Sequence, residues 1–457
     1  MMSEKRVWFL SDVYYPETEG VAYFVTRIAS ALANRFDVRV GCAQPVYSLR
    51  DTTYQSNDTH EGVTIHRCWS TRFSRQSLIG RICNNGTFGL SLLFYLLYHL
   101  RTGDRVIATS SPPVVPFVAA IACKLRRAKC IISMYDIYPD IAVVAGVLKR
   151  NSITTKILQR LQRYLWQNAD RILTIGRDMQ TFVRARIDNS CSKKVEVIPL
   201  FSSTYKIFPE TREENTILRE NELLDSFVVQ IAGNVGPVHN VEALMECARS
   251  LEDTPEIKFL IIGSGKKIPW INDLIRKEQR KNIIVLPRVP RSESCNILNG
   301  CDIAISALFI PGMWGLANPS RTYGIMAAGK PMIAMADEGT EVALLIGEQK
   351  VGWRVNPDDV EGLTAAIRDA YEHRVELAQI GERARYTAEA MYNIDEIISM
   401  YVSVVCSELP LQRPQAVVKR RVSIQGIEGK TYGGRNKLAE DEPVLVRDGM
   451  NDMGEKV

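Results

Sequence analysis

Several absences narrow this chain before any motif is considered. None of its ten cysteines forms a C-x-x-C pair, which argues against a zinc framework, and settings such as Cys123 after Ala119-Ala120-Ile121-Ala122 read as reduced core thiols. No D-x-D pair stands ready to clamp a metal, and no G-x-G-x-x-G fingerprint is present, which argues against NAD binding. Of the five histidines, His60, His66, His99 and His373 read as incidental, and His239 alone lies near a candidate site loop. No run of 18 unbroken apolar residues occurs. The longest, within 88–100, is about 13 residues and suits a buried or interfacial helix better than a span. The opening MMSEKRVWFL lacks the h-region and cleavage site of a signal peptide.

What is present fits a soluble globular protein. The 457 residues are 46% hydrophobic and 24% charged, enough for two or three domains with their own cores. A net charge of +5 is mild. It permits an acidic membrane surface or a phosphate ligand and calls for no nucleic acid.

Short apolar runs alternate with helical patterns along the chain. Strands are predicted at 6–10, 37–41, 63–67, 105–109, 130–134, 171–175 and 195–198, and a second series at 228–231, 258–262, 283–286, 303–306 and 331–335. Helices of ten or more residues separate them, so the fold class is α/β with parallel, doubly wound sheets. Residues 1–201 are expected to form one Rossmann-like domain and 202–394 a second. A helix at 395–407, with Ile397, Ile398, Tyr401 and Val405 on one stripe, is expected to pack back on the first domain. Residues 408–457 have many charges and few large apolar side chains, and read as a disordered tail.

The chemistry points to two stretches of the second half. Gln230-Ile231-Ala232-Gly233-Asn234-Val235-Gly236 runs from a strand into a glycine loop, where backbone amides can approach a diphosphate. Asn318-Pro319-Ser320-Arg321-Thr322 reads as a helix start, with Asn318 as cap and Gly329 ending the helix after about three turns. Free N–H groups beside a hydroxyl and a guanidinium suit a diphosphate. Beyond the following strand, Asp337, Glu338 and Glu341 place carboxylates where ligands of open α/β sheets bind.

These segments in this order, with YYPETEGVAYFVTRIASAL, YDIYPDIAVVAGVL, LPRVPRSE and NPSRTYGIMAAGKPMIAMADEGTEVALL, resemble the family 4 retaining glycosyltransferases of the two-domain GT-B type, closest to the WbuB-like subgroup. The resemblance spans residues 6–405. It implies transfer of a sugar from a nucleoside diphosphate sugar, UDP rather than GDP, to a hydroxyl of a lipid-linked glycan, without a metal or other cofactor. It places the donor diphosphate at Gly233, Asn234, Gly236, Ser320, Arg321 and Thr322, and the nucleoside at Arg288 and Val289. Asp136 falls near the transferred sugar and is, with Arg321, the catalytic expectation. Glu17, Glu19 and Gly20 would border the acceptor. Arg72, Arg75 and Arg81 before the 88–100 run suggest a cytoplasmic protein resting on the inner face of an anionic membrane.

The chain also departs from the family. Leu316 and Gly324 stand where many relatives carry two glutamates, so the usual ribose-binding carboxylate is missing and Glu338 or Glu341 is its candidate replacement. Tyr135 stands where many have a histidine. Two rival readings follow: a UDP-sugar 2-epimerase, which needs cleft carboxylates and histidines that cannot be placed here, and a non-catalytic nucleotide-sugar-binding or assembly protein.

Overall fold

The short apolar runs build two parallel sheets. The computed structural model describes residues 6–18, 20–45, 52–74, 77–236, 238–406 and the backbone of 431–432. The first sheet holds β1 (Arg6–Leu10), β2 (Asp37–Cys42), β3 (Asn57–His60), β4 (Val63–Arg67), β5 (Arg105–Thr109), β6 (Lys129–Met134), β7 (Arg171–Thr174) and β8 (Val195–Val197). Their order is β3-β4-β2-β1-β5-β6-β7-β8, with β3 antiparallel to β4 and every other neighbour parallel. All five residues of β1 are buried, as a central strand covered on both faces requires. Each large apolar side chain so buried contributes about 2 kcal/mol.

The second sheet contains β9 (Phe227–Asn234), β10 (Ile257–Ser264), β11 (Ile283–Leu286), β12 (Ile303–Leu308), β13 (Met332–Met335), β14 (Gly352–Val355) and β15 (Thr431–Tyr432), in the order β11-β10-β9-β12-β13-β14-β15. β3, β14 and β15 are not among the strands expected from the sequence. β3 is Asn-Asp-Thr-His at an edge, and β14 is a four-residue strand interrupted by Gly352 and Arg354. Within the expected tail, Thr431–Tyr432 pair in parallel with β14; the remainder of 408–457 lies outside the described residues.

Both sheets reverse direction at their centre, after β1 and after β9. That topology opens a crevice beyond the carboxyl ends of these strands. The helix Ile394–Cys406 returns to the first sheet, burying Ile397, Tyr401, Val404 and Val405, with the Tyr401 hydroxyl 3.5 Å from that of Ser133 in β6.

The two lobes meet through the loop before the helix Arg321–Ala327. Asp136 pairs with Ala317 as an antiparallel bridge, and the Ile137 N–H donates to the Leu316 carbonyl at 3.1 Å. Gly315 N–H donates to Asp178 at 3.2 Å. Across the crevice the Arg291 guanidinium lies 3.5 Å from the centre of the Tyr23 ring, a cation–π contact between lobes.

Candidate active site

β9 and β10 run in register as far as Gly233 opposite Gly263 and Asn234 opposite Ser264. Glycine is required at this pair. A Cβ on Gly263 would stand 1.9 Å from the Gly233 carbonyl oxygen, and Gly233 itself has φ +124°, which L side chains rarely adopt. Residues 263 and 264 are the end of this ladder rather than a free loop.

The bare face of Gly233 is covered by Arg321. A Cβ there would lie 3.7 Å from Arg321 Nη2, and that nitrogen donates to the Asn234 carbonyl at 3.1 Å. Nη1 is buried with no hydrogen-bond partner, and no carboxylate pairs with this guanidinium among the described residues. Burial depresses its pKa to about 10. Its positive charge is thus left without a counter-ion among the described residues, which costs desolvation energy. Thr322, next in the chain, also has a buried hydroxyl without a partner, while Ser320 is exposed.

The helix that carries these residues is shorter than its sequence suggests, spanning Arg321–Ala327 with Ser320 at the cap position. Asn318 does not cap it. Its amide donates instead to the Ile175 carbonyl at 3.1 Å and to the Tyr323 hydroxyl at 2.9 Å, tying the loop to the first lobe. Gly329, with φ +65°, ends the helix as expected.

His239 closes the glycine loop. Its Nδ1 accepts from Gly236 N–H at 3.1 Å, and Nε2 lies 3.4 Å from Arg321 Nη2. Burial, then the neighbouring guanidinium, lower its pKa to about 4, so the ring is neutral at pH 7.

Across from these residues, Asp136 is half-buried just beyond β6, with its backbone N–H donating to Ser110 Oγ at 3.2 Å. Burial raises its pKa to about 6. Arg288 is exposed and Val289 half-buried, both just beyond β11 at the same sheet edge as Gly233. Glu338 is exposed, whereas Glu341 is buried and committed elsewhere: its carboxylate accepts from Arg177 N–H at 2.6 Å and from Arg177 Nε at 3.0 Å. Of the residues expected to border an acceptor, Glu17 is buried at 2% exposure, Gly20 precedes the helix Val21–Ala33, and Glu19 lies outside the described residues.

Three contributors escaped sequence reasoning. Arg177 and Asp178 open a short helix, Arg177–Arg184, and bind the second lobe from the first. Trp314 donates to the Gly339 carbonyl at 3.2 Å and packs near Phe182. None belongs to a motif, and their roles exist only once the two lobes meet.

Comparison with known proteins agrees with this geometry. Residues 19–200 match the Glycosyl transferase 4-like domain and residues 213–387 the Glycosyl transferases group 1 domain. WbjE of Pseudomonas aeruginosa, named as a glycosyltransferase, is 28% identical over 67% of this chain and 74% of its own. WcaI of Escherichia coli K12, named as a colanic acid biosynthesis glycosyl transferase, is 22% identical over 85% and 97%. HepE of Anabaena, solved with UDP and glucose, superposes with a TM-score of 0.66 at 14% identity, covering 88% of this chain and 99% of its own. WaaG, a lipopolysaccharide biosynthesis glycosyltransferase, gives 0.64 at 14% identity over 88% and 100%.

Two facing parallel-sheet lobes with a crossing terminal helix define the GT-B fold. The chain is accordingly a GT-B glycosyltransferase, its first lobe of the glycosyl transferase 4-like kind and its second of glycosyl transferases group 1.

Proposed function

We propose that the protein transfers a sugar, with retained anomeric configuration, from a nucleoside diphosphate sugar to a hydroxyl of a lipid-linked glycan during surface polysaccharide biosynthesis. The observation that carries this reading is Arg321, whose guanidinium has an unpartnered buried nitrogen beside the Gly233–Gly236 loop. A diphosphate supplies the missing anion. As the sugar leaves, negative charge grows on that diphosphate, and a fixed cation with Ser320 and Thr322 beside it stabilises the transition state more than the ground state. The acceptor proton passes to the leaving phosphate, so no metal and no pair of carboxylates is required. Asp136 would face the sugar from the first lobe.

UDP is the favoured nucleotide, in keeping with HepE, which was solved with UDP, UDP-glucose and UDP plus glucose. Arg288 and Val289 would border the base. With Glu341 bound to Arg177, Glu338 is the better candidate for the ribose hydroxyls. The names of WcaI and WaaG support the polysaccharide setting, and the WbuB-like subgroup remains our assignment within the family.

A cytoplasmic protein resting on a membrane is part of this reading. No described helix is long and apolar enough to cross a membrane. The helix Leu78–His99 buries Phe88, Leu92 and Leu96 on one side, yet leaves Ile79, Ile82, Leu90 and Phe94 exposed on another. Exposed apolar side chains beside arginines suit an anionic surface.

The rival reading, a non-catalytic binder of nucleotide sugars, rests on the position of the usual first glutamate. It is held by Leu316, which is buried and carries a carbonyl that ties the lobes together. Turnover separates the two. With UDP- or GDP-sugars and a lipid extract from a polysaccharide-producing cell, nucleotide release should require the extract. Absence of release from every donor, despite measurable UDP binding, would favour the binder.

A further inference from the structure

His239 stands where the second sheet reverses direction, in the loop after β9 and beside the end of β12, and three contacts hold the backbone there. His239 pairs with Phe309 as an antiparallel bridge, Ile310 N–H donates to the Val238 carbonyl at 3.2 Å, and Lys267 Nζ donates to the His239 carbonyl at 2.8 Å. Lys267 is in turn paired with the Glu242 carboxylate, so its charge is answered away from the ring. Asn240, next in the chain, caps the helix Val241–Ser250 by accepting from Ala243 N–H at 3.2 Å. The imidazole is therefore carried by a rigid frame at the switch point of the sheet.

The hydrogen bonds fix which ring nitrogen carries the proton. A backbone N–H can only donate, so Nδ1, 3.1 Å from the Gly236 nitrogen, accepts, and the proton of the neutral ring is on Nε2. Arginine nitrogens also only donate. The 3.4 Å between Nε2 and Arg321 Nη2 is thus the approach of two donors rather than a hydrogen bond, and Nε2 has no other polar contact among the described residues. Two donors at this separation can share one oxygen lying about 2.9 Å from each. Side by side and unsatisfied, they call for an acceptor, and a phosphate oxygen has lone pairs for both.

From this we infer that His239 is a second donor to the diphosphate, its Nε2–H and Arg321 Nη2 meeting on one phosphate oxygen. The inference rests on the reading of the protein as a transferase that uses a nucleoside diphosphate sugar, and it adds a residue to the site of that reading. A neutral donor suits this place. A lysine or arginine nitrogen 3.4 Å from Nη2 would set two like charges side by side. The imidazole supplies its N–H without that repulsion, and its bond strengthens as negative charge grows on the leaving diphosphate. Burial, with the neighbouring guanidinium, keeps the ring in this neutral form at pH 7.

Two substitutions separate the roles of the two ring nitrogens. Glutamine can place an amide N–H near the position of Nε2, whereas asparagine reaches only as far as Nδ1 and can keep the bond from Gly236 without a donor to the phosphate. Calorimetry of UDP on the full chain at pH 7.5 should show binding at least about tenfold weaker for His239→Asn and within about threefold of the native value for His239→Gln. The ligand-free melting temperatures of the native and His239→Asn proteins should agree within about 2 °C. Undiminished UDP binding by His239→Asn overturns the inference, and so does an equal loss in both variants, which would assign the effect to the shape of the ring. A ligand-free His239→Asn protein that melts several degrees lower would make the ring a structural clasp of the glycine loop and overturn the inference as well. Failure of the native chain to bind UDP overturns the transferase reading itself.

Discussion

Arg321 Nη2 donates to the carbonyl of Asn234 at 3.1 Å and lies 3.4 Å from His239 Nε2, contacts that fix the guanidinium over Gly233 while Nη1 is buried without a partner among the described residues. Such an arrangement costs stability in the free protein, because a desolvated cation is not compensated. Replacing Arg321 with Met should therefore leave the melting temperature of the ligand-free protein unchanged or raise it by about 2 °C. A fall of several degrees in differential scanning calorimetry would show that the guanidinium is structural.

Asp136 supplies a pH test. Burial raises its pKa from the ordinary carboxylate value to about 6. A raised acid pKa means that the folded state holds its proton more tightly than the unfolded chain. Its ionisation therefore destabilises the fold progressively between about pH 4 and 6 and by a constant amount above. Asp136→Asn should then be more stable than the native chain at pH 7.5 and no different at pH 3.5. If the carboxylate acts on the transferred sugar, native kcat/KM should also rise through pH 6, and the variant should lose that limb. Asp178, also shifted up to about 6 by burial, is the control, since it bonds to Gly315 rather than to the crevice.

The pair of Arg177 and Glu341 couples the lobes. Arg177→Met strands a carboxylate that is mostly buried and should cost about 2 kcal/mol, whereas the double variant with Glu341→Gln should cost less than the single change. Denaturant titrations of both variants measure the coupling. Additive effects would mean that the contact carries no energy of its own.

Membrane contact depends on the outer face of one helix. Phe94→Asp should reduce sedimentation with phosphatidylglycerol vesicles about tenfold, because Phe94 is 68% exposed and its removal from the surface costs no core packing. Leu96→Asp is uninformative, since Leu96 is fully buried and the change would unfold the lobe. Equal sedimentation of the native and Phe94→Asp proteins would remove the membrane from the account.

The sheets were legible because buried parallel strands are written as apolar runs: Val-Val-Gln-Ile in β9 and Met-Ile-Ala-Met in β13 announce themselves. β3, with Asn-Asp-Thr-His at an edge, offers no such run. Gly233 and Arg321 were legible as a pair since each sits in a local motif at a strand or helix end. Asn318 was misjudged because its amide has a better partner in the Ile175 carbonyl, 143 residues away in sequence, than in the helix behind it. Glu341 was readable as an acidic residue at a helix start, but its partner Arg177 lies in the other lobe, and no spacing rule links them.

UDP binding to the native protein and to Arg321→Met tests the central claim most directly. Isothermal titration at pH 7.5 should show saturable binding to the native chain and at least about tenfold weaker binding to the variant, the loss expected for a charge-assisted contact to phosphate. Equal affinities would mean that the diphosphate does not meet this guanidinium, and the donor site would have to be sought elsewhere in the crevice.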